Sequence, residues 1–233
     1  MDTSESDKTS LSAVILDLDG LVLDTERVAR RAWRRAAAEL GYAIDDSLHA
    51  RIIGRTLRDS RRILVEALGP RFPYVRARQL QQHYVLQVID EDGLAQKPGL
   101  CDLLRTAKDL SLHVALATSS HRDSVQRKLS AASLDGVFPT MICGDEVTNG
   151  KPAPDLFLEA ATRLGVAPSG CVVLEDSHAG ARAAHAAGMR PILIPDLVPA
   201  SQEIEALCWA ILPSLDAAAR FLTSACAEDS RTL

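Results

Sequence analysis

Asp17 and Asp19 stand two positions apart at the end of the apolar run Val14-Ile15-Leu16, and Gly20 follows them. Residues i and i+2 of an extended backbone point the same way, so both carboxylates can face one ligand. Two like charges that close resist joint ionisation unless a counter-charge is supplied, and a hard divalent cation such as Mg2+ supplies it. Glu175-Asp176-Ser177 repeats the arrangement after Val172-Val173-Leu174, a second acidic pair able to complete such a site. Thr118-Ser119-Ser120 closes the run Val114-Ala115-Leu116-Ala117 and offers hydroxyl and N–H donors where a following helix N-terminus favours an anion. Lys151 lies in Asn149-Gly150-Lys151-Pro152-Ala153-Pro154-Asp155. Pro152 biases it toward an extended backbone and Pro154 suits the first turn of a helix, so the ammonium is presented from a stiff loop. Each group alone has a plainer reading: turn acids, helix caps or a solvated lysine.

The elements that must position these groups follow from patterning. Val14 to Leu16 is continuous rather than alternating, as in a strand buried on both faces. From Glu26 to Gly93 no strand pattern occurs. Val28, Ala32, Trp33, Ala36, Ala37 and Leu40 recur at helical spacing, with Arg27, Arg30, Arg31, Arg34 and Arg35 on the other side as a solvated face. Gly41 ends that helix, and further helices are predicted from about Ser47 to Ile53, from a cap at Asp59 or Ser60, and from Val75 to about Ile89. Gly54-Arg55-Thr56 breaks the second, and Asp90-Glu91-Asp92-Gly93 is the way out. Beyond Pro98, helices alternate with short apolar strands at Val114–Ala117, Met141–Cys143, Val172–Leu174 and Ile192–Ile194, and a last helix pair brackets Ala210-Ile211-Leu212. Such alternation implies right-handed βαβ units. The predicted fold is a doubly wound, Rossmann-like parallel α/β core (residues 11–24 and 96–233), a disordered tail (1–10) and a helical insertion (25–95).

A net charge of −5 and a pI near 5.7 argue against nucleic-acid or anionic-membrane partners, which favour a basic face. The five cysteines are odd in number and lack a Cys-x-x-Cys pair, so neither a disulfide framework nor a zinc site is indicated. With no signal-peptide pattern and no membrane-length apolar run, a cytoplasmic protein is expected.

The opening stretch, with Asp24-Thr25-Glu26, resembles the first motif of the haloacid dehalogenase superfamily, and Thr118, Lys151 and Glu175-Asp176 match its three later motifs in order. The resemblance extends to the β-phosphoglucomutase-like enzymes and small-molecule phosphatases with a helical cap. It implies Asp17 as nucleophile, Asp19 as general acid/base, and Thr118 and Ser119 as phosphate contacts. It further implies Lys151 as the neutralising cation, and Mg2+ held by Asp17, Asp176, the Asp19 carbonyl and, directly or through water, Glu175. The insertion becomes a cap with hinges near Leu23 to Arg27 and Gly93 to Pro98, and Gly54, Arg55, Arg58 and Trp33 become its candidate substrate contacts. Mutases of the group carry a histidine at the position of Ala29 and a lysine at that of Ile53, so the resemblance favours a phosphatase acting on a small phosphate ester. A phosphosugar mutase and a non-catalytic binding module are the alternatives, and a monomer or weak dimer is expected.

Overall fold

A computed structural model of the protein describes residues 10–53, 57–196 and 198–229. The chain enters through β1 (Ala13–Leu16) and leaves the sheet for α1 (Thr25–Glu39), α2 (Asp46–Ile52), α3 (Leu57–Leu68) and α4 (Tyr74–Asp92). It returns through α5 (Leu100–Asp109), β2 (His113–Ala117), α6 (Arg122–Ala131), β3 (Thr140–Ile142) and α7 (Asp155–Leu164). β4 (Cys171–Glu175), α8 (His178–Ala186), β5 (Arg190–Leu193), α9 (Gln202–Leu207), β6 (Ala210–Ile211) and α10 (Leu215–Asp229) complete it. The strands form one parallel sheet in the order β3-β2-β1-β4-β5-β6.

The continuous apolar character of β1 follows from its place in the middle of this sheet. Val14 and Leu16 pack with Leu103 of α5, Val125 of α6 and Leu222 of α10. Ala13 and Ile15 face the other way, toward Phe157 and Ala160 of α7 and Ala183 of α8. Both faces are therefore covered, as a buried parallel sheet requires. After β1 the chain builds outward through β2 and β3, then crosses to β4 on the other side. Strand order reverses between β1 and β4, and in open α/β sheets ligands bind outside the carboxyl ends of the strands at such a switch point. Leu16 is in register with Leu116 of β2 and Leu174 of β4, so the residues that follow these three emerge at one level.

The inserted helices pack on one another. α1 lies against α4, and Trp33, Leu48, Ile52, Ile63, Leu64, Phe72 and Ala77 form their own apolar cluster, while Val28, Val88 and Ile89 join the main core. Gly41 follows the end of α1 with φ 77°, the left-handed conformation expected of a helix terminator. Two details depart from the sequence reading. α3 already includes Leu57, which puts Asp59 and Ser60 inside the helix rather than at its cap. α4 runs on through Asp90-Glu91-Asp92 and ends only at Gly93. Acids at a helix C-terminus oppose the dipole, but here α1 offsets them: Arg35 holds Glu91 with two hydrogen bonds of 3.0 and 2.6 Å, and Arg31 pairs with Asp92. The arginine face of α1 is thus partly an ion-pair seam. Among the described residues no helix is long and apolar enough to cross a membrane.

Candidate active site

The carboxyl ends of β1, β2 and β4 bring four of the predicted groups together. Asp17, one residue beyond β1, is 7% exposed, and its N–H donates to the Leu174 carbonyl at 3.1 Å, which pins it beside β4. Glu175, the last residue of β4, is fully buried. Lys151 reaches in from the loop before α7, where its peptide bond to Pro152 is cis. Its ammonium donates to Asp17 Oδ1, to Glu175 Oε1 at 2.6 Å and to the Ala117 carbonyl at 3.0 Å, and it lies 4.9 Å from the centre of the Phe157 ring. Glu175 Oε2 accepts from the Ser177 N–H and hydroxyl at 3.1 and 2.8 Å. Ser177 in turn caps α8 through the Gly180 N–H. Both oxygens of Glu175 are therefore committed to holding Lys151 and the start of α8.

One ammonium faces three acids. Carboxylate oxygens of Asp17, Glu175 and Asp176 lie within 4.8 Å of one another. Burial pushes the Asp17 carboxyl up to about 7, against the pull of Lys151 and with the help of Glu175 and Asp19. Burial, then the charges of Asp17 and Glu175, push Asp176 up to about 9. Burial opposes the charge of Lys151, yet Asp17 and Glu175 outweigh it and hold its pKa above the ordinary lysine value. The cluster is short of positive charge, and its donors are hard oxygens, a set that suits a divalent cation. Backbone packs tightly around it. A Cβ on Gly20, at φ 91°, would sit 2.1 Å from Asp176 Oδ2, and one on Gly180 would sit 1.8 Å from Glu175 Oε1.

Thr118 is buried beyond β2, and its Oγ1 accepts from the Ser120 N–H at 3.1 Å, which leaves its own hydroxyl proton to give. Ser119 beside it is exposed. The Asp19 side chain does not join the acidic cluster. Its Oδ2 accepts from the Ser120 hydroxyl at 2.7 Å and its Oδ1 from Lys128 Nζ at 2.6 Å. Lys128 is not among the residues that the sequence motifs nominate, although a signal exists. Val125, Lys128 and Leu129 share the i, i+3, i+4 face of α6, so a lysine interrupts an apolar stripe.

Among the inserted helices, Gly54 and Arg55 lie outside the described residues. Arg58 is exposed and lines a groove of about 910 Å³ with Arg61, Arg62 and Phe72. A separate cavity of about 270 Å³ is lined by Glu26, Ala29, Trp33, His49, Ile53 and Arg78, among others. Trp33 thus belongs both to the helical core and to this wall. His49 Nε2 lies 3.4 Å from Glu26 Oε1. Burial, with Asp196 and Asp24, pushes the Glu26 carboxyl up to about 7, while burial and Arg30 hold His49 below the usual histidine value.

The family of haloacid dehalogenase-like hydrolases matches residues 11–188. The phosphorylated carbohydrates phosphatase of Thermotoga maritima is 35% identical over 182 residues, covering 78% of this chain and 84% of its own. The β-phosphoglucomutase of Bacillus subtilis is 31% identical over 206 residues, covering 81% and 88%. A solved structure of a HAD family hydrolase from Deinococcus radiodurans, with bound phosphate and sodium, superposes with a TM-score of 0.76 at 25% identity over 94% of this chain and 96% of its own. A family match that spans every strand-end group above, together with phosphatase relatives covering most of both chains, makes this chain a member of the haloacid dehalogenase-like hydrolases, a phosphoric monoester hydrolase.

Proposed function

We propose that the protein is a Mg2+-dependent phosphatase that hydrolyses a small phosphate monoester, of the sugar phosphate, phosphoglycolate or nucleoside monophosphate type, through an aspartyl-phosphate on Asp17. The observation that carries this reading is the pairing of Lys151 with both Asp17 and Glu175 beside the oxygens of Asp176. Asp17, Asp176 and the Asp19 carbonyl would hold the ion, and Glu175, whose Oε2 is taken up by Ser177 and whose Oε1 accepts from Lys151, would join directly or through water. Once bound, it supplies positive charge against the phosphoryl oxygens.

The residues of the chain do the rest. A carboxylate oxygen of Asp17 attacks phosphorus, and the bond from phosphorus to the ester oxygen breaks as Asp19 gives that oxygen its proton. Asp19 then takes a proton from water, whose oxygen attacks the same phosphorus. The Asp17–phosphorus bond breaks, inorganic phosphate leaves, and both aspartates return to their starting states. Thr118 and Ser119 bind phosphoryl oxygens, and Lys151 is already aimed at the charge that develops, so little reorganisation is needed.

α1 to α4 act as a cap. The two crossings between them and the core run side by side: Asp24 N–H donates to Ala95 O at 2.9 Å and Lys97 N–H to Val22 O at 2.8 Å. Such a paired strap can serve as a hinge, and closure would exclude water from the site. Ala29 and Ile53 line the same cavity as Glu26, so at the two positions where mutases carry ionisable groups this wall is apolar. That favours hydrolysis over mutase chemistry. The convergence of Asp17, Thr118 and Asp176 from adjacent strand ends, with Lys151 reaching in from the loop before α7, favours catalysis over a mere binding module.

The test is phosphate release from a panel of phosphate esters, with and without Mg2+ and with and without a sugar bisphosphate. Mg2+-dependent release that disappears in Asp17→Asn is expected. Full activity of Asp17→Asn would falsify the assignment, and accumulation of an isomerised sugar phosphate would replace it with the mutase.

A further inference from the structure

Asp19, Ser120 and Lys128 form a closed ring of three contacts, two of which hold the Asp19 carboxylate. Lys128 Nζ donates to Asp19 Oδ1 at 2.6 Å and to Ser120 Oγ at 3.0 Å, and Ser120 Oγ donates to Asp19 Oδ2 at 2.7 Å. Ser120 is itself tied to Thr118 through its N–H. The ring links the loop after β1 to the strand end of β2 and to α6. Lys128 is 13% exposed at its side chain and sits on the core-facing stripe of its helix with Val125 and Leu129, both buried. A lysine in such a place costs burial free energy unless it is paired, and here the pairing partner is the carboxylate that must move protons.

We infer that Lys128 is a positioning residue for Asp19: with Ser120 it locks the plane of the Asp19 carboxylate so that one oxygen faces the ester oxygen and then the attacking water. The inference rests on the acid/base reading of Asp19 given above. Lys151 is fully engaged with Asp17, Glu175 and Ala117, so the two ammonium groups divide the site, one serving the nucleophile and the other the proton carrier. Each carboxylate oxygen has two lone-pair directions, so the contacts from Lys128 and Ser120 leave one on each for a proton. An aspartate on a loop with one face open has rotamers to lose, and a two-point restraint removes that cost from the reaction step. A lysine whose work was to capture substrate would keep its ammonium free, whereas Lys128 spends two of its three donors inside the ring.

The experiment compares wild type, Lys128→Met, Lys128→Arg, Ser120→Ala, Asp19→Asn and the double variant Asp19→Asn/Lys128→Met. Each is assayed with Mg2+ on an alkyl phosphate and on 4-nitrophenyl phosphate, whose leaving group needs no proton. For Lys128→Met the expected result is a kcat loss of about 10²-fold on the alkyl ester, in the range of a general acid–base contribution. KM should stay within about threefold, the mark of an interaction made in the transition state. Release of 4-nitrophenol in the first turnover should fall far less, Lys128→Arg should recover most of the loss, and the double variant should be no worse than Asp19→Asn alone. If Lys128→Met does not fold, Ser120→Ala and Lys128→Arg carry the same comparison. A raised KM with unchanged kcat, or losses that multiply in the double variant, would overturn the inference by giving Lys128 a role independent of Asp19. Undiminished activity of Asp19→Asn would instead remove the acid/base reading beneath it, so the two failures are told apart.

Discussion

At the scale of single residues, the site is governed by a shortage of positive charge. Removing Lys151 should expose that shortage directly. Lys151→Ala leaves Asp17 and Glu175 buried without their partner, and breaking a buried pair by deleting one member costs about 3–5 kcal/mol. Chemical denaturation in the absence of metal is expected to show a loss of that size, and turnover should vanish. Gly20 tests the packing around Asp176. Gly20→Ala adds a Cβ 2.1 Å from Asp176 Oδ2 at a positive φ, so the loop or the carboxylate must move. Mg2+ affinity measured by titration calorimetry is expected to fall by at least about tenfold, as for other disturbances of the groups around a metal ligand. An unchanged affinity would show that Asp176 does not hold the ion. The acids were legible because their spacing is local: Asp17 with Asp19, and Glu175 with Asp176, are read within a few positions of one strand end, whereas Lys151, 134 residues from Asp17, was legible through the resemblance of its loop to a family motif. Lys128 was obscured because its partner Asp19 lies 109 residues away and no motif marks it.

At the scale of elements, the strand–helix alternation and the helical insertion were legible because both rest on periodicity. Element ends were less so, for a physical reason. Asp90-Glu91-Asp92 reads as an exit from α4, since acids oppose the dipole at a helix C-terminus, but α1 supplies Arg31 and Arg35 from 56 residues or more upstream. Exposed pairs of this kind contribute little, so Arg35→Ala is expected to cost far less than a truncation in the apolar cluster. The inserted helices instead depend on their own apolar cluster. Leu64 of α3 is fully buried there, and Leu64→Ala should cost about 2–5 kcal/mol. Denaturant unfolding of the two variants side by side checks the ordering; a larger loss for Arg35→Ala would mean that the α1–α4 seam, and not the apolar cluster, holds the insertion together.

At the scale of the molecule, proton uptake, metal and stability are linked. In the metal-free folded chain Asp17 and Asp176 keep protons up to about 7 and about 9, far above the ordinary value of 3.8 at which the unfolded chain releases them. The folded state binds the extra protons, so stability is greatest below about pH 4 in this contribution and falls as pH rises through about 7 and about 9. In the proposed mechanism Mg2+ would bind the ionised carboxylates and so counteract the loss. Calorimetric unfolding is expected to show a Tm gain from Mg2+ that is small near pH 5 and large near pH 8; a gain independent of pH would contradict the linkage. The whole account turns on Asp17 carrying the phosphoryl group between two half-reactions, and the direct test is to catch it there. Asp19→Asn, in which water is no longer activated, is mixed with Mg2+ and 4-nitrophenyl phosphate, quenched in acid and analysed by peptide mass spectrometry. The expected result is a phosphoryl group on Asp17, absent when Asp17→Asn is combined with it. Phosphate release by the wild type with the phosphoryl group found on no residue, or on one other than Asp17, would contradict the account.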